Sequence, residues 1–157
     1  MFAAERGGGA YLNGRRVHVS TQARLEDALV ATGFPSRKRR LHVNVHFYYQ
    51  MGMLTHGVRR AGSAALDLAY VGCGRLDASW EFGLRPWDIA AGTLIVKEAG
   101  GRCSDMRGAD HNMASEHLLA DNGLVHDQAL ELFNDIFCGR YRVPLPDVTY
   151  LSVAKTP

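Results

Sequence analysis

A chain of 157 residues, of which 46% are hydrophobic and 22% charged, is long enough to form one domain with a substantial core. The formal net charge of +2 is too small to indicate a nucleic-acid partner by itself, and no apolar run is long enough to cross a membrane. The three cysteines are odd in number and far apart, which indicates reduced thiols in the cytoplasm rather than a disulfide framework or a zinc site.

The first twenty residues predict a β-hairpin. Strand-like residues 10–12 and 17–19 flank Asn13-Gly14, a pair that favours a type I′ turn. The preceding Gly7-Gly8-Gly9 is interpreted as flexible backbone rather than a phosphate-binding loop, because neither a Lys-Ser/Thr pair nor a helix follows it. Residues 1–4 are expected to be the second part of a strand whose partners lie upstream, as in a truncated reading frame or an incomplete gene.

The next segment predicts a buried strand, a basic loop and a helix. Residues 28–32 form a short apolar run that ends in the turn Gly33-Phe34-Pro35. The basic run Arg37-Lys38-Arg39-Arg40 allows two interpretations, an anion or nucleic-acid patch and a solvated loop. The loop is favoured, because no aromatic residues are interleaved with the charges. Residues 41–58 predict a helix with a wide apolar face.

A run of small residues then predicts a turn into a second helix, from Ala64 to about Val71, with Ser63 as its N-cap. At Gly62, Ser63 and Ala64 a ligand could approach the backbone closely, and free N–H groups at a helix start favour anions and hydroxyls. Tight packing of two elements is the alternative, and the two interpretations are compatible. Residues 76–82 predict a strand, which carries Glu81.

Residues 85–92 predict the start of a central helix. Pro86 suits a first-turn position, and Asp88 complements the positive end of the helix dipole. No charged side chain occurs between residues 89 and 96, so most faces of this helix are expected to be buried. On local grounds Asp88 is either a helix cap or the acid of a metal or phosphate site, and capping is the commoner role.

The remaining chain alternates strands and helices. Residues 102–104 and 118–120 predict strands around a polar loop, and residues 124–137 predict a helix. This alternation predicts a layered α/β sandwich. Residues 1–139 are assigned to one domain and residues 140–157 to a proline-containing tail.

Four segments in order resemble the C-terminal half of the inositol monophosphatase family. They are Glu5-Arg6-Gly7-Gly8-Gly9-Ala10-Tyr11-Leu12-Asn13-Gly14, Arg59-Arg60-Ala61-Gly62-Ser63-Ala64-Ala65-Leu66-Asp67-Leu68, Gly74-Arg75-Leu76-Asp77-Ala78 followed by Glu81, and Trp87-Asp88-Ile89-Ala90-Ala91-Gly92 followed by Glu98-Ala99-Gly100-Gly101. The resemblance implies the C-terminal part of that sandwich fold. It also implies magnesium-dependent, lithium-sensitive hydrolysis of inositol monophosphate or a related sugar phosphate by a cytoplasmic homodimer.

The resemblance assigns roles to five residues. The acid that matches Asp88 is a metal ligand in the family, which binds Mg²⁺. The acid that matches Glu81 accepts hydrogen bonds from substrate hydroxyls, and backbone groups matching Gly62, Ser63 and Ala64 line the sugar pocket. These assignments reverse the local preference for Asp88 as a cap alone.

The family's Asp-Pro-x-Asp-Gly-Thr segment and an upstream Glu, which supply most of its metal ligands, have no counterpart in this sequence. The chain is therefore expected to be inactive by itself unless another polypeptide supplies the missing half. Two alternatives remain open: a non-catalytic oligomerisation or interaction fragment of the same fold, and a nucleic-acid binder that uses Arg37 to Arg40.

Overall fold

The structure, a computed structural model, describes residues 1–34 and 42–147. Within these ranges the helices and strands are β1 (Phe2–Glu5), β2 (Gly9–Leu12), β3 (Arg15–Val17), β4 (Leu29–Thr32), α1 (Asn44–Leu54), β5 (Gly57–Arg59), α2 (Ala64–Gly72), β6 (Ala78–Phe82), α3 (Pro86–Glu98), β7 (Arg102–Ser104), β8 (His117–Asp121) and α4 (His126–Phe137). None of the helices described combines the length and apolar character that a membrane crossing requires.

The strands form two sheets. β1, β2 and β3 make a small antiparallel sheet in that order. The larger sheet has the order β5-β4-β6-β8-β7 and is mixed. β4 runs parallel to both β5 and β6, whereas β8 runs antiparallel to β6 and β7.

Helices cover both faces of the larger sheet. On one face α1 and α4 bury Phe47, Met51 and Phe133 against Trp80 and Leu119 of the strands. On the other face lie α2 and α3, and the small sheet packs on their outer side through a third apolar cluster. The layers are thus sheet, helix pair, sheet and helix pair, which confirms the predicted α/β sandwich.

α2 and α3 approach each other closely because glycine stands at both contact points. A Cβ atom placed on Gly92 would lie 2.6 Å from the Cβ of Leu68, and one on Gly72 would lie 2.6 Å from Cγ2 of Ile95. Neither position has room for a side chain unless the helices move apart. This contact fixes the separation of the two helix starts, where the candidate site lies.

The predicted hairpin is confirmed, although its second strand is Arg15–Val17 and not residues 17–19. Asn13 and Gly14 have φ values of 53° and 78°, the left-handed conformation that a type I′ turn requires at both central positions. The glycine run before it is held rather than flexible, since Gly7 and Gly9 donate backbone hydrogen bonds of 2.9 and 3.0 Å to the Glu98 carboxylate. Residues 2–5 do form a strand, β1, and it pairs with β2, which follows it in the chain. A partner upstream of β1 stays a prediction.

The helix predicted over residues 41–58 is shorter than expected. α1 ends at Leu54, and Thr55 is already extended, with φ −124° and ψ 172°. His56 then donates a backbone hydrogen bond to Ala28, and residues 57–59 pair with β4 as the edge strand β5. Sheet pairing thus overrides the apolar pattern, which does not distinguish the end of a helix from a short buried strand.

The tail that follows α4 is anchored as far as the structure describes it. The side-chain amide of Gln50 in α1 bonds the backbone of Arg142 and Val143, and Arg142 also pairs with Asp135 of α4. The domain boundary at residue 139 stays a prediction. The basic run Arg37 to Arg40 and residues 148–157 lie outside the described residues.

Candidate functional site

The five residues singled out by the sequence line one pocket of about 480 Å³. It lies where β4 and β6 end and where α2 and α3 begin. Ligand sites in open α/β sheets form in this position, because loops leave the carboxyl ends of parallel strands and helix starts present free N–H groups there. The residues around the pocket are Gly33, Phe34, Arg60, Gly62, Ser63, Ala64, Ala65, Glu81, Phe82, Gly83, Leu84, Trp87 and Asp88.

The turn into α2 offers backbone groups to this pocket. Gly62 has a φ of 89°, a conformation that favours glycine, and a Cβ there would meet no atom within 4 Å. Ser63 occupies the N-cap position as predicted, but its side chain makes no capping hydrogen bond. Its carbonyl oxygen accepts from Leu66 and Asp67, the usual backbone bonds at a helix start. Because the hydroxyl makes no capping bond, it is not committed to the helix.

Glu81 is buried in the centre of the sheet, with 5% of its surface exposed, although its strand position alone would suggest a solvent-facing residue. Burial raises the pKa of Glu81 to about 7, and the nearby negative charges of Asp67 and Asp88 add to the rise. A backbone hydrogen bond from Gly33 and the positive charge of Arg60 act in the opposite direction. Glu81 therefore changes its charge near neutral pH.

Asp67 is a residue that the sequence analysis missed. It lies in α2 with 1% of its surface exposed, and its Oδ1 has no hydrogen-bond partner among the residues described. Burial raises the pKa of this carboxyl. One signal was available: a single acid stands within the otherwise uncharged stretch from Ala64 to Gly72. A buried carboxylate oxygen without a partner is costly unless it serves the neighbouring site.

Asp88 both caps α3 and faces the pocket. One carboxylate oxygen, Oδ2, accepts a 3.0 Å hydrogen bond from the backbone N–H of Arg85, while the residue also lines the cavity. The two local interpretations are therefore compatible. Next to it Trp87 is 79% exposed, so the first turn of the helix is open to solvent.

The described part of the chain does not build a complete magnesium site. Mg²⁺ requires octahedral oxygen ligation from carboxylates, waters and substrate phosphate. In residues 1–34 and 42–147, no group of three or more His, Cys, Asp or Glu side chains is placed to hold a metal ion. Asp88 offers one carboxylate of the kind that the ion prefers, and the other protein ligands would have to come from elsewhere.

A second polar constellation lies away from the pocket. The Nδ1 atom of His126 is 2.6 Å from Oδ2 of Asp121, and its Nε2 is 3.1 Å from the hydroxyl of Ser104. The arrangement resembles a Ser-His-Asp triad, but all three residues are buried. Since the Ser104 hydroxyl also donates to the backbone oxygen of Asp105, the group ties β7, β8 and α4 together rather than presenting a nucleophile.

Comparison with known proteins agrees with the fold and the order of the motifs. The model of the inositol monophosphatase family matches residues 1–137. A Mesorhizobium japonicum protein named inositol-1-monophosphatase is 43% identical over 132 residues, which cover 83% of this chain and 50% of that protein. A Pseudomonas aeruginosa protein named Nus factor SuhB is 51% identical over 125 residues, 77% of this chain and 46% of that protein.

A solved structure gives the same result. The inositol monophosphatase from Anabaena (Nostoc) superposes with a TM-score of 0.79 at 41% identity, over 83% of this chain and 52% of that one. The chain thus spans about half the length of the relatives it matches. With the family model covering most of its residues, the chain belongs to the inositol monophosphatase family.

Proposed function

We propose that this chain supplies the sugar-binding half of a magnesium-dependent phosphatase that acts on inositol monophosphate or a related sugar phosphate. The observation that carries the proposal is the convergence of the Gly62–Ala64 backbone, Glu81 and Asp88 on one pocket. The three parts come from different elements of the fold. The order of the motifs in the sequence does not by itself imply that these residues share one pocket.

The chemistry of these groups suits a phosphorylated polyol. Unpaired N–H groups at the start of α2 can donate to hydroxyl or phosphate oxygens. The two oxygens of Glu81 can accept hydrogen bonds from neighbouring hydroxyls when the group is ionised. Asp88 would contribute one ligand to Mg²⁺, which supplies Lewis-acid chemistry when it is bound. Because residues 1–34 and 42–147 offer no cluster that could hold the ion, the chain alone is expected to be inactive under this proposal.

The test is phosphate release from inositol 1-phosphate in four mixtures. The purified chain is assayed alone and together with the N-terminal half of a family member, each with and without Mg²⁺. We expect release only from the pair with Mg²⁺, and loss of that release in Asp88→Asn. A folded pair that associates without releasing phosphate would overturn the proposal, and turnover by the chain alone would overturn the expected inactivity.

A homodimer is a second part of the proposal, supported by the exposed face of α1. Val45, Tyr48 and Met53 are all exposed there, an apolar surface that association would cover. We place the assembly in the cytoplasm, in keeping with the resemblance and with three unpaired cysteines. Light scattering coupled to gel filtration gives the mass directly, and a monomer at micromolar concentration would contradict the dimer.

The same surface also supports the alternative of a non-catalytic interaction fragment. Self-association that persists with no phosphate release from the reconstituted pair would favour it over the phosphatase. The two candidates therefore differ in one measurement, since both predict association and only one predicts turnover.

A further inference from the structure

A buried amide lies directly behind the candidate site. Asn44 is the first residue of α1 and is fully buried. Its Nδ2 atom donates to the Thr32 hydroxyl at 2.9 Å and to the Gly33 carbonyl oxygen at 2.7 Å. Its Oδ1 atom accepts from Nε1 of Trp80 at 2.6 Å. Both ends of the amide are therefore used, and because Trp80 can only donate, the orientation of the amide is fixed.

The register of the sheet brings this network next to Glu81. Thr32 and Trp80 are partners on the parallel strands β4 and β6, so the residues that follow them, Gly33 and Glu81, lie side by side. The Thr32 hydroxyl donates to the backbone oxygen of Trp80 at 2.7 Å, which closes the network across the two strands. The Gly33 backbone is thereby held on both sides, by the Thr32 side chain before it and by Asn44 at its own carbonyl.

Gly33 in turn determines where the Glu81 carboxylate can lie. A Cβ atom on Gly33 would be 2.8 and 2.9 Å from the two carboxylate oxygens, closer than real Cβ contacts allow. The carboxylate therefore occupies the space that any side chain at position 33 would need. The Gly33 backbone N–H also acts on this carboxylate as a hydrogen-bond donor and lowers its pKa. Close approach and this donor act on the carboxylate together.

We propose that Asn44 is a positioning residue for the sugar-binding carboxylate: its amide fixes Gly33, and Gly33 fixes the orientation of Glu81 in the pocket. The functional meaning of this inference rests on the proposed role of Glu81. The structural link from Asn44 through Gly33 to Glu81 is independent of that role. Asn44 itself does not line the pocket and acts only through Gly33. A buried network with every donor and acceptor satisfied is rigid, which is what an oriented hydrogen-bond acceptor requires.

The charge environment of Glu81 makes this link measurable. Asp67 from α2 and Asp88 from α3 raise the pKa of Glu81, and Arg60, which follows β5, lowers it. Gly33 acts on the carboxyl differently, through its backbone N–H as a hydrogen-bond donor. Loss of that bond removes a stabilisation of the ionised form, so the pKa of Glu81 should rise further.

The experiment is a carbon-13 NMR titration of the Glu81 carboxyl in the full chain. In Asn44→Ala we expect the midpoint to lie above the wild-type midpoint, by about half a pH unit or more. In Gly33→Ala we expect the opposite, a fall, because the new methyl group pushes the carboxylate toward solvent and burial is the main cause of the raised pKa.

Gln50→Ala is the matched control. Gln50 is a buried amide in the same helix whose side chain also makes three hydrogen bonds, but to the backbone of Arg142 and Val143 in the tail. Gln50→Ala should lose about as much folding stability as Asn44→Ala and leave the titration midpoint of Glu81 unchanged. A wild-type midpoint in a folded Asn44→Ala protein, or equal shifts in both variants, would overturn the proposal.

Two further measurements keep the test decisive. Asn44→Ser, whose side chain is too short to reach Gly33, replaces Asn44→Ala if that variant does not fold. If neither Asn44 variant folds, an unchanged midpoint in Gly33→Ala overturns the proposal, and a lowered one supports its second step, the contact of Gly33 with Glu81. Adding inositol 1-phosphate to the wild-type chain separates the two claims, since failure to perturb the Glu81 amide signal would count against sugar binding and leave the positioning link intact.

Discussion

The close crossing of α2 and α3 makes a specific prediction about Gly92. Replacing a glycine within a helix by alanine ordinarily stabilises it by about 1 kcal/mol, through helix propensity. At Gly92 the added methyl group would lie 2.6 Å from both Cβ and Cδ1 of Leu68, which is itself fully buried. Overpacking of this kind costs about 1–3 kcal/mol. We therefore expect Gly92→Ala to lower the free energy of unfolding by up to about 2 kcal/mol, despite its better propensity.

Gly52 provides the matched control in another helix. It is exposed in α1, and a Cβ there would approach one atom only, Cγ2 of Val58, at a comfortable 4.0 Å. Gly52→Ala should thus gain propensity without overpacking and stabilise the chain by about 0.5–1 kcal/mol. The same substitution is predicted to have opposite signs at two positions, and the sign depends on packing alone.

Urea unfolding followed by circular dichroism measures both changes. If Gly92→Ala is as stabilising as Gly52→Ala, the helix contact is looser than described and the reasoning fails. A second consequence concerns the site, because α2 begins at Ala64 and α3 carries Asp88. Forcing these helices apart should shift amide signals around the pocket in Gly92→Ala and leave them in place in Gly52→Ala.

Two other perturbations test buried charge. Because the pKa of Glu81 rises from 4.5 in the unfolded chain to about 7 in the folded one, the folded state should lose stability as the pH rises through this range, by up to about 3 kcal/mol. Glu81→Gln should lack this loss of stability, so the urea midpoints at pH 5 and pH 8 should differ more in the wild type than in the variant. Equal pH dependence in the two proteins would refute the raised pKa of Glu81. His126→Ala should lower the free energy of unfolding by about 3–5 kcal/mol, because it leaves the buried Asp121 carboxyl without its side-chain partner. Asp127→Ala, the exposed neighbour paired with Arg102, should cost less than about 1 kcal/mol, and similar losses in both variants would contradict the buried pair.

Local rules were sufficient for elements whose causes lie within a few residues. Asn13-Gly14 adopts its turn because of its own backbone preferences, and α3 begins at Pro86 with Asp88 bonded back to Arg85. The end of α1 was misplaced because it depends on β4, a strand outside the helix. A pattern within residues 41–58 carries no information about that pairing.

The sequence predicted which residues form the candidate site but not how they are arranged. The family motifs pointed to Glu81 and Asp88, and the structure places both at one pocket. The burial of Glu81 and the presence of Asp67 beside it depend on how sheet and helices stack, which no local spacing encodes. Asn44 was missed for the same reason, since its bond to Trp80 joins residues 36 positions apart.

The strand order of the larger sheet also bears on how the chain acquires its fold. Its central strand β6 pairs with β4, whose Thr32 lies 48 positions before Trp80, and with β8, which follows the whole of α3. Loop closure between such distant segments is entropically expensive and slows folding. The hairpin of β2 and β3 can form early from local contacts, whereas the pocket of the candidate site is complete only after β8 has paired with β6. During synthesis on the ribosome, the candidate site should therefore be one of the last parts of this chain to become structured.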